Sequence, residues 1–79
     1  MIDTFMTVFR QKLAALHAQD PKAYWWPIEK LDDVCGRMRN AFLNCTYNND
    51  GAAIKATCKE LGIKSTYKAI NAYIKGAST

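Results

Sequence analysis

The chain has 79 residues, 49% of them hydrophobic, with two tryptophans, four tyrosines, three phenylalanines and a net charge of +4. That composition excludes an intrinsically disordered chain, and no apolar run is long enough to cross a bilayer. The length allows a single domain over residues 1–79, which buries about 60% of its unfolded surface and is stable by on the order of 5 kcal/mol.

The first helix is expected over 3–19, with Asp3 as its N-cap. Ile2, Phe5, Phe9, Leu13 and Leu16 recur at helical spacing, with Met6 at the edge of the stripe. His17 falls at that edge near the helix end, where it fills surface or favours the helix dipole. Asp20-Pro21 ends the helix. The run Tyr24-Trp25-Trp26-Pro27 that follows is the densest aromatic patch in the chain. Large rings in such a loop plug the core beneath neighbouring helices, and two adjacent tryptophans do not easily point into one pocket, so at least one of them is expected to stay partly exposed.

The second helix is expected over 27–45, opening on Pro27 as a first-turn residue. Ile28, Leu31, Cys35, Met38, Phe42 and Cys45 alternate at intervals of three and four, a seam for packing on other helices. Early Glu29, Asp32 and Asp33 and late Arg37 and Arg39 complement the dipole, and Asp33 and Arg37 are spaced to pair. Asn48-Asn49-Asp50-Gly51 reads as a turn, with Asp50 capping a third helix over 51–61 that turns Ile54, Cys58 and Leu61 inward. Gly62 suits the left-handed residue that closes a helix, and Ile63 the apolar contact after it. Ser65 is expected to cap a fourth helix over 66–75, with Tyr67, Ile70, Tyr73 and Ile74 inside and Gly76 at its end. The fold class is all-α, a bundle of about four helices with no strand pattern. Four helices suffice to cover the seam of the second, so a monomer is expected.

No metal, cofactor or catalytic constellation emerges. Three cysteines, Cys35, Cys45 and Cys58, lie ten and thirteen residues apart and all face inward, with one histidine in the chain. Zinc sites need tighter clustering, and buried cysteines of this kind act as small core residues. The odd count and the absence of a visible signal peptide point to free thiols and a cytoplasmic location. Asp32 and Asp33 are adjacent, so a helix turns them about 100° apart. The four glycines are isolated and form no phosphate loop. The chain reads as a binding protein, not an enzyme.

Charge is the strongest functional signal. Residues 51–79 hold Lys55, Lys59, Lys64, Lys68 and Lys75 against Glu60, for +4, while residues 1–50 hold six basic and six acidic residues and cancel. The run Cys58-Lys59-Glu60-Leu61-Gly62-Ile63-Lys64-Ser65-Thr66 resembles the turn of a helix-turn-helix. The resemblance implies duplex DNA as partner: Asn71 reading adenine, Lys68 and Lys75 reaching base or phosphate, and Lys55, Lys59, Lys64 and Ser65 holding the backbone. The segment departs from that pattern in having no arginine, the commonest base reader.

The chain's size, the run from Trp26 to Cys35 and the run from Ile54 to Lys64 resemble short phage or prophage proteins, anti-CRISPR proteins among them. Many of these are helical and block host machinery stoichiometrically. The resemblance implies a non-enzymatic inhibitor that docks on a host complex handling nucleic acid, in the host cytoplasm. Those families share no motif, so the docking residues come from chemistry alone. Tyr24, Trp25 and Trp26 are the aromatic anchors, and Arg37, Arg39 and the C-terminal lysines would meet an acidic partner surface.

Overall fold

The computed structural model describes residues 2–44 and 51–77. They form four α-helices: α1 (Ile2–Gln19), α2 (Leu31–Asn44), α3 (Gly51–Glu60) and α4 (Tyr67–Ala77). Two 3-10 turns, Pro21–Ala23 and Ile28–Lys30, lie between α1 and α2, and no strand occurs among the described residues. The chain is an all-α bundle. Asp50, Cys45, the turn residues Asn48 and Asn49, and the tail at Ser78 and Thr79 lie outside the described residues.

The bundle is organised around α1, which touches each of the other three helices. Its stripe Phe5, Met6, Phe9 and Leu13 is buried. Phe5 and Phe9 meet Phe42 of α2 edge-on at 5.5 and 5.3 Å between ring centroids, and Tyr73 of α4 closes on Phe5 at 5.7 Å. Such edge-to-face pairs add about 0.5–1.5 kcal/mol each beyond area burial. Val34, Met38, Ile54, Cys58 and Ile70 complete the centre. Ion pairs Arg10–Asp32 (2.8 Å) and Arg39–Asp3 (3.0 Å) bridge α1 and α2 on the surface, where such pairs contribute at most about 1 kcal/mol.

Several boundaries depart from sequence expectation. Asp3 is not a cap: α1 already includes Ile2, and the Asp3 carboxylate accepts from Arg39 instead. The expected helix over 27–45 begins as a separate 3-10 turn. Pro27 is extended (φ −78°, ψ 164°), and its carbonyl accepts from the Lys30 amide at 2.9 Å. Ile28 then lies out of phase with Leu31 and is 46% exposed, so it leaves the seam. Gly76 does not end the last helix, which runs through it to Ala77, and Tyr67 is exposed where an inward ring was expected.

The turn between α3 and α4 follows its local chemistry. Gly62 sits at φ +74°; its amide donates to the Lys59 carbonyl, and the Ile63 amide donates to the Cys58 carbonyl at 3.0 Å. These two bonds are the Schellman closure. The cap of α4 is Thr66, not Ser65: Thr66 Oγ1 accepts from the Ala69 amide at 3.2 Å.

Candidate functional site

The aromatic loop is pinned from beneath by His17. Its imidazole is buried, contrary to the surface position expected from sequence, and stacks on Trp26 (4.7 Å) and Tyr24 (5.5 Å). His17 Nε2–H donates to the Trp26 carbonyl at 3.0 Å. This packing buries Trp26 to 3% exposure and leaves Trp25 at 75%. Burial, with the nearby Asp20 charge second, raises the Tyr24 phenol above its ordinary value. Arg37 of α2 lies over the Trp25 ring, its guanidinium carbon 5.1 Å from the ring centroid, a cation–π arrangement. Arg39 does not join it. Two helical positions turn it away, to Asp3 on the α1 side.

Helix α3 carries two stripes. Ile54, Thr57 and Cys58 are buried, with Leu61 beyond the helix end packed against the core. Ala52, Lys55, Ala56 and Lys59 have the i, i+3, i+4, i+7 spacing of a second stripe. The second stripe faces outward and joins the two regions that sequence reasoning treated separately. Toward the aromatic loop, Ala52, Ala53 and Ala56 form a hollow of about 240 Å³ with Ala23, Tyr24, Trp25 and Trp26. Toward α4, Ala52 and Ala56 also line an open groove of about 660 Å³, together with Lys55, Lys59, Ile63, Lys64, Ser65 and Thr66. The two concavities share Ala52 and Ala56. An exposed indole, an apolar ledge and three ammonium groups therefore form one continuous surface.

No carboxylate lines the groove among the described residues. The positive end of the α4 dipole at Lys64, Ser65 and Thr66 adds to the lysine potential. Of the residues expected from sequence to meet nucleic acid or an acidic surface, the structure gathers Lys55, Lys59, Lys64 and Ser65 here. Lys68, Asn71 and Lys75 do not line the groove, and Asn71 is half-buried. Sequence reasoning missed the alanine ledge, Ile63 and Thr66 as site residues. The Ala52-Lys55-Ala56-Lys59 spacing was the available signal.

Cys35 and Cys58 are buried free thiols. Desolvation raises both above the ordinary thiol value, Cys58 to about 11. They are held as neutral thiols at physiological pH. No group of three or more potential metal ligands occurs among the described residues, and none of their helices is long and apolar enough to cross a membrane. No protein-family model, curated protein or solved structure matches the chain.

Proposed function

We propose that the protein is a non-enzymatic inhibitor of the phage-encoded kind, an anti-CRISPR protein in type. It docks on a host complex that processes nucleic acid and blocks its guide or target path. The observation that carries the docking reading is the continuous aromatic–basic surface: Trp25, 75% exposed under Arg37, joined through Ala52 and Ala56 to Lys55, Lys59 and Lys64. Tryptophan and arginine are the residues most enriched at binding hot spots. The lysines steer the protein to an acidic patch, since like charge would repel it from a DNA-binding channel. The inhibitor class is supported by the resemblance to short phage proteins.

The alternative is a duplex-DNA regulator using α3 and α4, supported by the tight Schellman turn at Gly62 between them. The half-buried Asn71 weighs against it as a base reader. Affinity capture on purified effector complexes, with and without nuclease, separates the two. The inhibitor reading expects a nuclease-resistant complex that Trp25→Ala abolishes, together with reduced target binding by the captured effector. Tight duplex binding with no protein retained would establish the regulator instead.

A further inference from the structure

We propose that the groove between α3 and the head of α4 is the seat for one acidic amphipathic helix of a partner protein. The proposal rests on the protein-docking reading and names the chemistry that the docking surface selects. Ala52, Ala56 and Ile63 make an apolar floor, and Lys55, Lys59 and Lys64 surround it. A wholly polar anion would satisfy the ammonium groups and leave the floor uncovered. The occupant therefore brings carboxylates and apolar side chains together.

Spacing selects a helix. Lys55 and Lys59 stand one turn apart on α3, about 6 Å along its axis. Carboxylates at i and i+4 on a partner helix have the same separation, and apolar residues at i+3 and i+7 lie beside them on that face, toward the small alanines. Helix-in-groove docking reads such anchors at i, i+3, i+4 and i+7. Two other occupants fit less well. A second copy of this chain brings a net charge of +4 to a site already lined by lysines. A nucleic-acid strand contacts lysines through phosphates, and its backbone has nothing apolar to place on Ala52, Ala56 and Ile63.

The test uses the full chain and a helix-stapled peptide with leucines at alternating third and fourth positions and glutamates flanking them. Its controls are the same peptide with glutamine for glutamate and an oligothymidylate of equal charge. By fluorescence anisotropy, the glutamate peptide is expected to bind at least about tenfold more tightly than either control at near-physiological salt. The triple variant Lys55→Gln/Lys59→Gln/Lys64→Gln should weaken it by about tenfold or more. Ala52→Glu, a substitution at an exposed helical position, should do the same by repulsion. Unchanged thermal midpoints show that both variants fold. Lack of peptide binding, peptide binding indifferent to both variants, or a tighter, lysine-dependent oligothymidylate complex would overturn the proposal. Trp25 lies outside this groove. Effector capture that Trp25→Ala abolishes, alongside a peptide that fails to bind, removes the seat and leaves the docking reading standing.

Discussion

The imidazole of His17 is 6% exposed, stacked on Trp26 and Tyr24, with its Nε2–H on the Trp26 carbonyl. A buried polar group without its partner costs about 1–3 kcal/mol, and a deleted ring adds a cavity penalty. His17→Phe keeps the stack and loses the bond, so urea unfolding should show a loss of about 1–2 kcal/mol. His17→Ala loses both and should cost about 3 kcal/mol, with red-shifted tryptophan emission. Cys58 supplies a pH signature. Its thiol is raised by burial from 9.0 to about 11, so the folded state holds the proton that the unfolded chain releases first. The stabilising contribution is complete below about pH 9 and is lost as pH rises to about 11. Urea midpoints followed across that window should fall more steeply for the natural chain than for Cys58→Ala.

The link between α3 and α4 offers a sharp comparison of neighbouring residues. Gly62 holds φ +74° with nothing within 4 Å of an added Cβ, so Gly62→Ala carries a backbone cost and no clash. A loss of about 1 kcal/mol is expected on denaturant unfolding. Thr66→Ala removes the observed cap and should cost about 1 kcal/mol. Ser65→Ala, at the position expected from sequence to cap α4, should leave the unfolding midpoint unchanged. Ser and Thr are both good caps, so the pair Ser65-Thr66 was ambiguous by residue type. The position from which a side-chain oxygen meets the Ala69 amide settled it. Pro27 was ambiguous in the same way, since proline suits both a first helical turn and the extended residue before one. Its extended backbone put Ile28 out of register with α2.

For the molecule as a whole, binding and stability divide between adjacent tryptophans. Trp26 is in the core and Trp25 is 75% exposed. Trp26→Ala should cost about 3–5 kcal/mol, comparable with the whole stability of a chain this size, and leave little folded protein by circular dichroism. Trp25→Ala should cost on the order of 0.5 kcal/mol, a fall in thermal midpoint of about 2–4 °C, while abolishing effector capture. Equal destabilisation by the two substitutions would mean that Trp25 packs internally and is no anchor.

The four-helix architecture was legible in the chain because each helix repeats its apolar residues within one or two turns. Phe5, Phe9 and Leu13 on α1 and Leu31, Cys35, Met38 and Phe42 on α2 were found buried as their spacing required. Gly62 was legible because a left-handed closure is a demand on a single residue. The lysine excess after residue 50 was a matter of counting. Three-dimensional packing was needed to distinguish Trp26 from Trp25, to bury His17, and to separate Arg37 on the indole from Arg39 on Asp3. It also brought the aromatic loop against the alanines of α3. Local periodicity shows which side of a helix is apolar; which distant segment covers that side depends on long-range packing, and the joined aromatic–basic surface exists only through such contacts.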